Sequence, residues 1–266
     1  MSIQFGMIGG GVMGEALLSR LLAQQIYLAE QVIVSDPQLQ RREFLQQQYG
    51  IQVTADNLTA ATAPVLMLAI KPQMFDPVTA QLQGHTPIDQ FVLSILAGVP
   101  LHRLEAAFPD QPVVRSMPNT PATVGAGMTA IAGGRYATPE HLQMAYRIFA
   151  AVGQVVEVAE PLLDAVTGLS GSGPGYVAVM IEALIDGGVA AGLPRPIATQ
   201  LAIQTVRGTA ELLQAQSLHP AQLKDQVTSP GGTTIAGIAQ LEQAGFRSGL
   251  IEAVKAAYRR SQELGR

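Results

Sequence analysis

Between residues 3 and 158, short apolar runs rich in β-branched residues alternate with stretches long enough for helices. The runs are IQFGMI, QVIVSD, PVLMLAI, FVLSIL and PVVRSM, with VMGEALLSRLLAQQ after the first and QLQRREFLQQQYG after the second. That alternation predicts a parallel sheet covered by helices. PVLMLAI and FVLSIL are almost unbroken apolar runs, the pattern of strands buried on both faces. Beyond about Glu160 the strand signals stop and helical spacing takes over, predicting helices at 174–191, 196–215, 220–227, 234–244 and 246–264. The helix from Pro174 carries Val177, Val179, Met180, Ile181, Leu184, Ile185 and Val189 around most of its circumference, so it belongs in a large core or an interface. Two segments are therefore expected, 1–160 and 161–266, joined by a short linker near 159–164.

Composition narrows the function classes. The chain has 266 residues, of which 48% are hydrophobic and 14% charged, with a formal net charge of −4. That balance offers no basic field for nucleic acid, and it points to apolar surface buried between subunits. The longest uncharged stretch, Ser116 to Gly134, is interrupted by Pro118, Pro121 and glycines, so no transmembrane helix is expected. The N-terminal MSIQFGMIGGG lacks the basic start and cleavage site of a secretory signal, and a cytoplasmic location is the expectation. Cysteine is absent and the four histidines, His85, His102, His141 and His219, are far apart, so no metal site is expected.

Chemistry enters with Gly9, Gly11 and Gly14, a GxGxxG that directly follows the first strand and opens a helix. The glycines allow a tight turn and close backbone approach, and the helix start presents unpaired N–H groups to a pyrophosphate. Asp36 ends the second strand, where an acidic residue commonly holds the ribose hydroxyls. Arg41 and Arg42 follow, expected in the next helix and facing solvent. Lys71, after the strand PVLMLAI, reads either as a cofactor or substrate contact or as a solvated lysine at a strand end.

Three further motifs lie in the second half. Ser229-Pro230-Gly231-Gly232-Thr233-Thr234 joins two helices, reading either as a backbone site for a carboxylate or as a simple helix cap. Thr167 to Gly175 holds four glycines, suiting close packing between subunits or substrate contact, with Ser172 able to cap the next helix. Glu182 and Asp186 sit four apart on that helix, expected in an ion pair with an arginine rather than in acid–base chemistry.

Taken together, IGGGVMGEAL, AIKPQ, VVRSMPNTPATVGAG, TGLSGSGPGYV, EALIDGGVAAGLPR and HPAQLKDQVTSPGGTTIAGIAQLE resemble the pyrroline-5-carboxylate reductase family over the whole length of the chain. The resemblance implies a Rossmann-type doubly wound α/β domain followed by an all-helical dimerisation and substrate domain. It implies NADPH and/or NADH as cofactor, reduction of 1-pyrroline-5-carboxylate to proline, and a homodimer through the C-terminal helices that can extend to a larger homo-oligomer. By the resemblance, the dinucleotide contacts come from Gly9, Gly10, Gly11, Val12, Met13, Gly14, Ser35, Asn57, Ala69, Ile70, Lys71, Pro72, Ile95, Leu96 and Ala97, to which the place of Asp36 at the end of the second strand adds Asp36. Ser229, Gly231, Gly232, Thr233 and Thr234 hold the substrate carboxylate, with the catalytic Thr234 hydroxyl near the ring nitrogen. Two departures stand out: Ser217 where some relatives have an acidic residue, and Asp36 where relatives often have a small hydroxyl residue.

Two other functions share part of this pattern. A β-hydroxyacid dehydrogenase shares the glycine-rich opening and a helical second domain but resembles a family with a lysine base on a central helix. Here the lysines are Lys71, Lys224 and Lys255, none of them on the helix from Pro174. A non-catalytic NAD(P) sensor needs the dinucleotide turn but not the loop at 229–234.

Overall fold

The computed structural model describes residues 2–265 and divides into two compact units, Met1–Ser172 with Ala256–Arg266, and Gly173–Lys255. The first unit is built on strands β1 (Phe5–Ile8), β2 (Val32–Ser35), β3 (Gln52–Thr54), β4 (Val65–Leu68), β5 (Phe91–Ser94), β6 (Val113–Met117), β7 (Gly127–Gly133) and β8 (Gly153–Glu157). They form one sheet in the order β3-β2-β1-β4-β5-β6-β7-β8, parallel except that β7 runs antiparallel to β6.

Both faces of this sheet are covered, which explains the unbroken apolar runs. Alternation along each strand sends Phe5, Met7, Val34, Met67 and Leu93 to one face and Ile8, Ile33, Leu66, Leu68 and Val92 to the other. The first face packs under helices α1 (Val12–Ala23), through Leu17, Leu18 and Leu21, and α2 (Leu39–Tyr49), through Leu45. The opposite face packs under α3 (Asn57–Ala60), α4 (Phe75–Leu82) and α5 (Leu101–Ala107) through Ala60, Phe75, Val78, Leu82 and Leu104. Helix α6 (Pro139–Ala150) returns to the first face with Ala145, Ile148 and Phe149. This is a doubly wound α/β sheet, as the alternation in sequence predicts.

Strands β7 and β8 carry no clear strand signal in the sequence. β7 lies inside the uncharged, glycine-rich stretch after Arg115, and β8 is a partly exposed edge strand with the pattern GQVVE. Residues 160–172 pack with the first unit: α7 (Leu163–Val166) buries Leu163 completely, and Arg115 of β6 pairs with Glu160 and Asp164.

The second unit is helical: α8 (Gly173–Ala190), α9 (Arg195–Gln216), α10 (Pro220–Gln226), α11 (Thr233–Gln243) and the first part of α12 (Phe246–Leu264). Each lies within two residues of its expected bounds. One local expectation is overturned. Ser172 does not cap α8, because α7 continues through a wide helical turn at Thr167–Gly171 and leaves Ser172 itself in a right-handed helical conformation. Helix α8 has no buried residue within the single chain, and Val179 is 66% exposed. Its apolar circumference therefore finds no core in one copy of the chain.

Candidate active site

The β1–α1 turn is built by its glycines. Gly9 has φ +99°, a conformation that L side chains rarely adopt, and a Cβ there would stand 2.6 Å from the Ala69 carbonyl oxygen at the end of β4. A Cβ on Gly14 would stand 2.7 Å from the Gly9 carbonyl oxygen and 3.0 Å from the Met7 sulfur, so the helix can approach the strand only as glycine. Gly11 caps α1 with no side-chain hydrogen bond, and a Cβ on it would meet nothing within 4 Å. The start of α1 thus faces open space with its first N–H groups unblocked by a side chain, a geometry that fits a pyrophosphate.

Around this turn the candidate residues collect on the carboxyl ends of the strands. Ser35 is fully buried at the end of β2, and its hydroxyl donates to Asn57 Oδ1 at 2.7 Å, while Asn57 Nδ2 donates to Gln81 at 2.9 Å. Asp36 follows Ser35 and accepts from the backbone N–H groups of Gly10 at 3.0 Å and Gln38 at 2.9 Å. Ala69 and Ile70 lie beside Gly9, with the Ala69 N–H donating to Ile8 at 2.8 Å. Lys71 is exposed and precedes a short turn at Pro72–Met74. Ile95, Leu96 and Ala97 leave β5 beside these groups, and Leu96 is buried. Val12 is exposed on the first turn of α1, and Met13 packs against the core.

Arg41 and Arg42 do lie in the helix after β2, but they turn back rather than face solvent. The Arg41 guanidinium donates to the Gly10 carbonyl and ion-pairs with Glu15, and Tyr49 donates to the same carboxylate at 2.8 Å. Arg42 donates to the carbonyls of Asp36 at 2.7 Å and Pro37 at 3.0 Å. Glu15 is on the first turn of α1, so unsatisfied carbonyls at the β2 end and a carboxylate one helix away attract cations that a solvent-facing reading ignores. Partial burial pushes the Glu15 carboxyl up, but the hydrogen bonds from Arg41 and Tyr49 and the Arg41 charge outweigh it and hold it below the ordinary carboxylate range. Burial, with the Glu15 hydrogen bond and charge, pushes the Tyr49 phenol up to about 12.

In the helical unit the loop after α10 turns at Gly231, whose φ is +66°, and reaches Gly232, which caps α11 with no side-chain hydrogen bond. The Gly232 N–H donates to the Ser229 carbonyl at 3.0 Å, and a Cβ on Gly232 would overlap the Ser229 hydroxyl. Ser229, Thr233 and Thr234 are exposed around that helix start. Ser217 closes α9 in a left-handed conformation, φ +50°. Asp186 pairs with Arg195 at 2.9 Å on an exposed surface, the structural ion pair expected of it. Among the described residues no cluster of three or more His, Cys, Asp or Glu side chains is placed to hold a metal ion, and no helix is long and apolar enough to cross a membrane.

Sequence reasoning gave no role to Arg115 or Asn119. Asn119 accepts from the Met128 N–H at 2.8 Å and donates to the Ser170 carbonyl at 3.1 Å, joining the turn after β6 to the wide helical turn. A charged residue inside an apolar strand was the available signal for Arg115; Asn119 had none apart from its place in the motif PNTPATVGAG.

Comparison with known proteins agrees with both parts. Residues 160–264 match the family model described as pyrroline-5-carboxylate reductase dimerisation, and residues 4–98 match a model described as NADP oxidoreductase, coenzyme F420-dependent. The chain is 61% identical over its full length to the full length of a pyrroline-5-carboxylate reductase of Synechocystis, and 45% identical to that of Methanosarcina acetivorans, covering 99% of this chain and 98% of the relative. Among solved structures, the pyrroline-5-carboxylate reductase of Coxiella burnetii superposes with a TM-score of 0.90 at 33% identity, covering 99% of each chain. The Plasmodium falciparum enzyme, solved with NADP bound, gives a TM-score of 0.90 at 29% identity, covering 99% of this chain and 98% of that one. The glycine turn, the doubly wound sheet and the helical C-terminal segment occur here in one chain that aligns end to end with these relatives, and the chain belongs to the pyrroline-5-carboxylate reductase family.

Proposed function

We propose that this protein is an NAD(P)H-dependent oxidoreductase acting on a cyclic C=N bond, and that it reduces 1-pyrroline-5-carboxylate to L-proline, the last step of proline biosynthesis. The observation that carries this reading is the second glycine-bearing helix start, at Gly231–Thr234, in a chain whose first unit already has the α1 start at Gly11. A cofactor-binding sensor requires one such site, and a reductase of a carboxylated imine uses two. The relatives named above support the same reading.

In this assignment, Gly9, Gly10, Gly11, Val12, Met13 and Gly14 receive the pyrophosphate, and Ser35, Asp36 and Asn57 border the adenosine ribose. Ala69, Ile70, Lys71, Pro72, Ile95, Leu96 and Ala97 line the remaining half of the dinucleotide. Ser229, Gly231, Gly232 and Thr233 form the loop that holds the substrate carboxylate, with the Gly232 N–H kept on the Ser229 carbonyl and the start of α11 with its dipole facing the anion. Thr234 directs its hydroxyl to the ring nitrogen. Functionally the chain divides at about residue 160, with 161–266 as the dimerisation and substrate segment. The unburied apolar surface of α8 then becomes the homodimer interface. The setting is cytoplasmic.

The bound NAD(P)H supplies the hydride. The protein's own task is to hold the imine carbon in line and to favour the protonated ring nitrogen, whose positive charge makes that carbon electrophilic. A hydroxyl donor at Thr234 is enough for the nitrogen, consistent with a chain that has no cysteine. The alternative alcohol oxidation needs a base such as lysine on the central helix, and α8 contains none. Loss of NADH and NADPH absorbance on adding pyrroline-5-carboxylate, with proline as product, tests the proposal; a chain that binds the cofactor without consuming it would end it.

A further inference from the structure

The last turns of α12, residues 256–264, belong to the sheet unit, and their contacts converge on the segment that leaves β5. Ser261 is 4% exposed and its hydroxyl donates to Asp164 at 2.7 Å. Asp164 lies 3.7 Å from the buried Arg115 guanidinium, which also meets Glu160 at 3.1 Å. Glu160 in turn accepts from the Leu101 N–H, the first of α5. From the other side the chain end packs on Gly98. Gly98 has φ +75°, a Cβ on it would stand 3.4 Å from the Leu264 Cβ, and a Cβ on Gly265 would stand 2.7 Å from the Gly98 carbonyl oxygen. The peptide 95–100 is thus gripped at Gly98 by Leu264 and Gly265 and at Leu101 by a part-buried ion network, centred on the buried Arg115, that ends on the same helix.

We infer that the last turn of α12 positions the Ile95–Ala97 backbone for the dinucleotide, making Ser261 and Gly265 positioning residues of the reaction. The inference rests on the proposed assignment of Ile95–Ala97 to the cofactor. In the strand order, β5 and β2 lie on opposite sides of the β1–β4 pair, so the segment after β5 serves the half of the dinucleotide away from the adenosine ribose. Burial of a polar network around one loop costs free energy unless every member is paired, so deleting the Ser261 hydroxyl disturbs Asp164 and, through Arg115 and Glu160, the start of α5.

The test separates the two halves of the cofactor. Binding of NADPH and of 2′-phospho-ADP-ribose, the same molecule without nicotinamide, is measured by calorimetry on the full chain for wild type, Ser261→Ala and Gly265→Ala. Gly265 is near the chain end, so its variant reports even if Ser261→Ala folds poorly. The expected result is a Kd for NADPH raised about three- to tenfold in each variant with 2′-phospho-ADP-ribose affinity unchanged. Unchanged NADPH affinity in Gly265→Ala, or equal weakening of both ligands, would overturn the positioning role. A wild-type chain that binds 2′-phospho-ADP-ribose and NADPH with the same affinity would remove the assignment of Ile95–Ala97 itself.

Discussion

Asp36 Oδ2 accepts a hydrogen bond from the Gly10 backbone N–H at 3.0 Å, tying the end of β2 to the glycine turn. The other carboxylate oxygen accepts from Gln38 at 2.9 Å, so the side chain is anchored before any ribose arrives. In the proposed assignment this anchored carboxylate accepts ribose hydroxyls and would repel a 2′-phosphate, and Arg42, held on the neighbouring carbonyls, would moderate that repulsion. The protein should accept both cofactors with a muted preference for NADPH. Asp36→Ser should shift the ratio of kcat/KM values toward NADPH by about tenfold, the effect of removing one like charge worth on the order of 1 kcal/mol. Steady-state kinetics with both cofactors on both proteins measures it; an unchanged ratio would mean that Asp36 serves the turn alone.

Tyr49 and Glu15 give a pH signature. The Tyr49 phenol is raised from 10.0 to about 12, so its contribution to stability is complete below its unfolded value and is lost as pH rises toward about 12. The Glu15 carboxyl is lowered, so its contribution is present above the unfolded value of 4.5 and is lost as pH falls through the folded one. Tyr49→Phe should flatten the decline in thermal midpoint on the alkaline side, between pH 10 and about 12. Its acid limb should persist, because Arg41 still pairs with Glu15. Melting curves across pH decide the matter, and parallel alkaline limbs would contradict the assignment.

Much of this was legible in the sequence because it rests on local, repeating signals. Parallel strands buried on both faces leave unbroken apolar runs, and a glycine turn between strand and helix leaves a spaced motif. In the second half Pro174, Pro196 and Pro220 stand in the first turns of α8, α9 and α10, and Gly232 and Gly245 directly precede α11 and α12, so the helix starts are marked in the sequence. What escaped depends on distant partners. Gly6 looks like any strand residue, yet a Cβ there would overlap the Ala60 carbonyl oxygen of α3, a contact set by packing across the sheet. The inward turn of Arg41 follows from Glu15 and the Gly10 carbonyl, which are neighbours only after β1 and β2 pair. Ser172 misled because its type suits a helix cap, while the wide turn before it keeps the helix running.

Helix α8 should lose its proposed partner when charged. Val179 is 66% exposed in the single chain, and Val179→Glu would place an uncompensated charge in the dimer interface at a cost of about 3–5 kcal/mol. The variant should shift to monomer in light scattering at micromolar concentration while circular dichroism retains the sheet unit. A variant as fully dimeric as wild type would move the interface away from this face of α8.

Thr234 is exposed at the start of α11, and its hydroxyl is the donor assigned to the ring nitrogen. Thr234→Ala should lose one charge-assisted interaction, about 1.5–3 kcal/mol, or roughly 10- to 150-fold in kcat/KM for the imine. NADPH affinity should be unchanged. Thr234→Ser, which keeps the hydroxyl, should recover most of the rate; full activity in the alanine variant would remove the role.

The proposed reaction passes a hydride from the nicotinamide to the imine carbon, a step that isotope transfer follows atom by atom. The wild-type protein is incubated with pyrroline-5-carboxylate and NADPH deuterated at the transferable position of the nicotinamide, and the product is read by mass spectrometry and NMR. Proline is expected to carry a single deuterium at C5, the ring carbon beside nitrogen that bears no carboxylate, formed in step with cofactor oxidation. Cofactor oxidation without labelled proline, or no turnover at all, would contradict it.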